Sequence, residues 1–231
     1  MKKQYKDVSY SVSRSDRKTA SIYIERDGEV SVLAPKKLSD AEVESLIENK
    51  LVWIYKNLAE WCDLNATRIE REFVNGEGFL YLGRSYRLKI VEDQTQPLML
   101  KQGYLCLRSG LEDQQEDTHE VFKEFYREKS LQKITERVEY FATQMGVTPK
   151  GIKVQELQHR WASCTTEGML HFHWKCIMAP LTIIDYIVVH ELAHLIHANH
   201  TEAFWNEVDK VLPDYLERKQ WLRVNGAGMS L

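Results

Sequence analysis

Residues 185–205 read Asp-Tyr-Ile-Val-Val-His-Glu-Leu-Ala-His-Leu-Ile-His-Ala-Asn-His-Thr-Glu-Ala-Phe-Trp, and this stretch constrains the fold more than any other. Around it Ile183, Ile184, Ile187, Val188, Val189, Leu192, Leu195 and Ile196 make a strongly apolar helix that should be buried. Half of the chain's eight histidines nevertheless fall within the eleven residues 190–200. Buried imidazoles and a buried carboxylate need partners, because each one left unpaired costs about 1–3 kcal/mol. His190 and His194, four apart, project from one face of a helix about a turn apart, so both rings can reach a single metal ion.

Glu191 falls beside that face, where it can hold a metal-bound water as general base. His200 follows His194 by six residues, so the run is HExxHxxHxxH, the metzincin spacing with His197 in place of glycine. Three ligands on one straight helix, at about 1.5 Å per residue, would span too great a length for bonds near 2 Å. The chain must turn back to close the site. Ala198-Asn199 is expected to end the helix, since asparagine tolerates a left-handed turn, and His200 is preferred to His197 as third ligand. Three protein ligands with one position open to water is the donor set of catalytic zinc. A core helix with protein-satisfied histidines is the competing reading, and it leaves this concentration of buried polar groups unexplained.

The rest of the chain narrows the class. Its 231 residues suffice for one large or two modest domains, and 43% hydrophobic with 28% charged residues is ordinary for a globular protein. A net charge of −3 sets up no field that demands nucleic acid or an anionic membrane. No apolar run reaches about 18 residues, so no membrane span is expected. The amino terminus has two lysines but no apolar core behind them, and is not read as a secretory signal. Cys62, Cys106, Cys164 and Cys176 are widely spaced and read as free thiols of a cytoplasmic protein.

Strands are expected over 7–34, with a turn at Asp27-Gly28, and again over 73–108. A helix with a Ser39/Glu42 capping box runs between them to about Cys62. Ser109 to Asp117 is acidic and unpatterned, a loop or linker. A long helix follows from Thr118 to Met145, then short strands at 152–158, 161–164 and 169–174. A Thr182/Asp185 capping box should open the histidine helix, and Thr201 the next one, which Pro213 breaks. No internal repeat is visible. The expected architecture is α+β, a strand-rich region with one long helix over 1–112 followed by a zincin-like region over 113–231.

Several segments together resemble one family. They are Arg160 to Cys164, Met169 to Trp174, Asp185 to His194, Asn199-His200-Thr201 with Phe204-Trp205, and Leu212-Pro213-Asp214-Tyr215. The chain resembles the YgjP-like metallopeptidases, relatives of the SprT-type and WLM zinc proteases, over nearly its whole length. The resemblance implies zinc ligation by His190, His194 and His200. Where the family usually has Trp-Gly-Ser-Cys this chain has Trp161-Ala162-Ser163-Cys164, and where it usually has asparagine this chain has His173.

The expected function is hydrolysis of peptide bonds in a peptide or protein substrate, with one zinc per chain and Glu191 as base. A donor for the oxyanion is sought among Tyr215, Arg160, His171 and His173. The hairpin 161–174 reads equally as a substrate-pairing strand or as ordinary core. The cations of residues 1–37 are offset by acids, so a solvated mixed-charge face is favoured over a nucleic-acid surface. The rival classes are a non-catalytic zinc-containing binding module, DNA-associated in one version, and a zinc hydrolase of a non-protein amide. Nothing in the sequence sets the oligomeric state.

Overall fold

The computed structural model describes residues 2–24, 28–65, 71–112, 115–157 and 160–231. They form an α+β protein of two compact units, Met1–Arg68 and Ile69–Leu231. The division differs from a boundary at 112/113. The sheet of residues 78–108 shares a core with the long helix that follows it, so both belong to the second unit.

In the first unit β1 (Lys2–Tyr5) and β2 (Val8–Ser15) form an antiparallel pair, as do β3 (Ser21–Ile24) and β4 (Val30–Pro35). β2 and β4 join the pairs in parallel, giving the order β1-β2-β4-β3. Of the turn expected at Asp27-Gly28, Asp27 lies outside the described residues. Alternation turns Val8, Tyr10, Val30, Val32 and Ala34 inward, where Val43, Ile47 and Ile54 meet them. The helix α1 (Asp40–Asn49) opens with the Ser39/Glu42 capping box, each residue bonding the other's backbone N–H at 3.3 and 2.8 Å. One helix to Cys62 was expected; two form, because Lys50 takes φ −108° and its N–H is shared among the last carbonyls of α1. α2 (Leu51–Asn65) then restarts the ladder with the Ile54 N–H on the Lys50 carbonyl.

The second unit begins with a sheet of the same design. β5 (Gly78–Tyr81), β6 (Arg84–Val91), β7 (Leu98–Lys101) and β8 (Tyr104–Arg108) take the order β5-β6-β8-β7, again with the second and fourth strands parallel. This is a topological repeat that the sequence does not display. Leu82-Gly83 and Gln102-Gly103 close its hairpins with φ of 49° and 76°, and of 51° and 80°, the left-handed pair that tight hairpins require. Phe79, Leu88, Leu98, Leu105 and Leu107 pack on the long helix α3 (Gln115–Met145), with Phe79 and Phe122 rings 4.5 Å apart.

A three-stranded sheet follows in the order β10-β11-β9, from β9 (Gly151–Gln155), β10 (Ala162–Cys164) and β11 (Met169–His173). β10 is therefore an edge. A 3₁₀ stretch (Trp174–Met178) leads into α4 (Leu181–Ala193), and then come α5 (Glu202–Val211) and α6 (Tyr215–Asn225). Two devices fix α4. Arg137 of α3 grips Asp185 in a fork, Nε to Oδ1 at 2.6 Å and NH2 to Oδ2 at 3.1 Å. The β5–β6 turn docks at its start, the Leu82 and Gly83 N–H groups bonding the Ile177 and Met178 carbonyls. Asp185 is thus taken by Arg137, and the expected Thr182/Asp185 capping box does not form; Pro180 stands at the cap instead. Among the described residues no helix is long and apolar enough to cross a membrane.

Candidate metal centre

α4 is buried nearly all round, from Ile183 to Ala193, which brings His190 and Glu191 inside by necessity rather than by preference. The helix ends at Ala193, five residues before the expected Ala198-Asn199. Turns at 194–196 carry the chain out, and Asn199 keeps a negative φ. The earlier exit has a local cause, since the amides of Leu195 and Ile196 close on carbonyls three residues back rather than four. The Leu195 N–H bonds the Leu192 carbonyl, and the Ile196 and His197 N–H groups share that of Ala193.

The consequence is that residues 198–200 return across the face of α4. One ring nitrogen from each of His190, His194 and His200 then falls in a cluster whose members all lie within 4.8 Å of one another. The Nε2 atoms of His190 and His200 are 2.9 Å apart. His197 does not join the cluster. It contributes its backbone carbonyl, 3.2 Å from Nδ1 of His194; donation from that nitrogen leaves Nε2 with a free lone pair, the form a metal needs.

Phe204 and Trp205, which in the sequence belong to the segments that carry the family resemblance, are the walls of this cluster. The Phe204 ring lies 4.6–5.0 Å from all three histidine rings. Trp205 stacks on His200 at 5.6 Å and on Tyr215 at 5.3 Å. Burial, and then the neighbouring His194 and His200, push the His190 pKa down to about 3, and burial lowers His200 as well. Both imidazoles are therefore neutral, as ligands must be. Burial pushes Glu191 up to about 8, against the opposing Arg160 charge and a hydrogen bond from the Cys164 backbone.

The donor set fits a divalent cation. Three ring nitrogens converge, and beside them Glu191 Oε2 is buried without a hydrogen-bond partner. Among the described residues no fourth histidine, cysteine or carboxylate joins the three. Cys106 and Cys164 are free thiols, while the Cys62 side chain lies outside the described residues.

The four oxyanion candidates separate. His173 is committed elsewhere: its Nδ1 accepts from the Lys175 N–H and its Nε2 lies 3.3 Å from Glu156, whose other oxygen takes the Trp174 indole N–H. His171 sits opposite Ser163 in the β10–β11 register and makes no ring contact with the three histidines among the described residues. Arg160 reaches Glu191 with its charge, and Tyr215 reaches the cluster through Trp205. Lys219 is a group that sequence reasoning missed. It acts electrostatically on His190 and His200 and lies over Trp205, and no spacing signal links it to the histidines.

A family match gives the class of the protein, a metallopeptidase. The family model of the YgjP-like metallopeptidase domain matches residues 18–225, and the chain belongs to that family. The chain is also similar to a solved structure, the metallopeptidase zymogen abylysin of Pyrococcus abyssi. The two are 24% identical, over 38% of this chain and 89% of that one, with a TM-score of 0.36. No curated protein matches the chain.

Proposed function

We propose that the chain is a zinc-dependent peptidase of the cytoplasm, with His190, His194 and His200 as ligands of one zinc ion and Glu191 as general base. One observation carries the reading. Three histidine nitrogens converge while Glu191, the next residue after one of them, holds a buried oxygen that nothing in the protein uses.

Zinc held there supplies Lewis acidity and brings the pKa of a bound water to about 7. With a cation bound by the three histidines, Glu191 would stand as the carboxylate rather than the acid that burial alone leaves. Glu191 Oε2 takes the water's proton and delivers it to the leaving nitrogen, while the Cys164 N–H holds the carboxylate in place. Phe204 and Trp205 keep the imidazoles packed and partly shielded from water. The lack of a fourth protein donor among the described residues favours this reading over a structural zinc site, which is normally closed by four.

Glu191→Gln tests it. The shape is kept but the proton acceptor is lost, so zinc content and melting temperature should persist while cleavage of a peptide library falls at least ~10²-fold. Loss of zinc in this variant would make Glu191 a ligand, and unchanged cleavage would remove it from the mechanism.

A further inference from the structure

Lys219 lies on α6 one turn beyond Tyr215, and both side chains rest on the same indole. The Lys219 ammonium is 4.4 Å from the Trp205 ring centroid, and the Tyr215 ring stacks on Trp205 at 16°. Trp205 in turn stacks on His200. The two contacts hold the ammonium within about 10 Å of the His200 ring, a distance of two or three residues of extended chain at roughly 3.3 Å each.

The placement becomes electrostatically costly when the three rings hold a cation, because the ammonium resting on Trp205 opposes that charge. Among the described residues no carboxylate pairs with it, whereas the neighbouring Arg218 is paired with Asp214 at 2.9 Å. A flexible lysine stem free to swing into solvent is instead kept near the cluster by the indole face. An anion brought in with the substrate would satisfy all of this at once.

We propose that Lys219 receives a substrate carboxylate, a free C-terminus or an acidic side chain one to three residues from the scissile bond, and so makes the centre selective for acidic peptides. The inference rests on the peptidase reading and adds the substrate class to it. Held on the indole face, Lys219 is assigned to the substrate chain beyond the reacting carbonyl rather than to the oxyanion, whose donors stand about 3 Å away. Its part is to bind and orient.

The test measures binding rather than turnover. Zinc-loaded Glu191→Gln protein is titrated by calorimetry with three forms of one peptide: a C-terminal carboxylate, a C-terminal amide, and the amide carrying glutamate in place of glutamine near the centre. One or both carboxylate forms should bind about three- to fivefold more tightly than the neutral amide, the scale of a partly exposed ion pair, and the advantage should shrink as salt rises. Lys219→Met should erase the advantage and Lys219→Arg keep it, with thermal unfolding checking each variant. Which carboxylate form gains shows whether the enzyme reads chain ends or acidic side chains. Equal binding of all three peptides, or an advantage that survives Lys219→Met, overturns the proposal. Failure of the wild-type protein to cleave any peptide would count against the peptidase reading alone, because discrimination in binding is read without turnover.

Discussion

His194 points Nδ1 at the backbone carbonyl of His197, 3.2 Å away, so His197 serves the centre through its main chain and not through its ring. An alanine at 197 keeps that carbonyl. His197→Ala is therefore expected to retain one zinc per chain, His190→Ala and His194→Ala to lose it, and His200→Ala to bind it far more weakly. Elemental analysis of the purified variants reads this directly. Zinc kept in His200→Ala and lost in His197→Ala would reverse the ligand choice.

The Arg137–Asp185 fork joins α3 to α4 across 48 residues of sequence, with Arg137 also lying over the rings of Tyr140 and Phe141 at 4.9 and 5.0 Å. Asp185→Ala leaves the guanidinium in a half-buried place without its partner. A loss of about 2–3 kcal/mol in unfolding free energy is expected, read from the urea midpoint at unchanged slope. A loss below about 0.5 kcal/mol would mean that packing alone holds the helix.

Gly83 has φ +76°, and a Cβ there would stand 2.7 Å from Cγ of Pro180 and 2.9 Å from its Cα. The turn cannot retreat without breaking its bonds to the Ile177 and Met178 carbonyls. Gly83→Ala should cost about 2 kcal/mol or more by strain and overpacking together. Gly103→Ala is a control: its φ is +80° but nothing lies within 4 Å, so only the conformational part of the loss should appear in a thermal melt.

Glu156 holds the Trp174 indole and faces His173 and Lys123. Burial works to raise its pKa, but the Trp174 N–H, His173 and Lys123 together bring it below its ordinary 4.5. A carboxyl depressed in the folded state adds stability above its unfolded pKa and loses it as the pH falls through the folded value. The stability gap between the wild type and Glu156→Gln, about 1 kcal/mol at pH 7 for the hydrogen bonds weakened, should therefore close as the pH drops below about 4.5. Chemical denaturation at pH 7 and pH 3 measures it, and a gap that widens in acid would contradict the assignment.

What could be read in advance was whatever has a short period or a local partner. The 3.6-residue spacing put His190 and His194 on one face, and the Ser39/Glu42 box forms as its spacing predicts. Asp185 matched the same capping pattern and went elsewhere, because a guanidinium 48 residues away binds it more strongly than a helix end does. The break at Lys50 and the early end of α4 are main-chain hydrogen-bond choices that leave no compositional mark. The parallel pairings β2–β4 and β6–β8 were invisible for a related reason: period-two alternation tells which face a residue takes, not which strand lies beside it. An unpatterned acidic stretch near 112 invited a boundary that the shared core of β5–β8 and α3 overrides.

In both four-stranded sheets each outer strand pairs with its sequence neighbour, and only the central parallel pair spans a longer stretch of chain. Each sheet can therefore assemble as two independent hairpins that form quickly, leaving one later docking event to define the layer. Substitutions within a turn such as Leu82-Gly83 would then slow folding, whereas those along the β6–β8 seam would chiefly hasten unfolding.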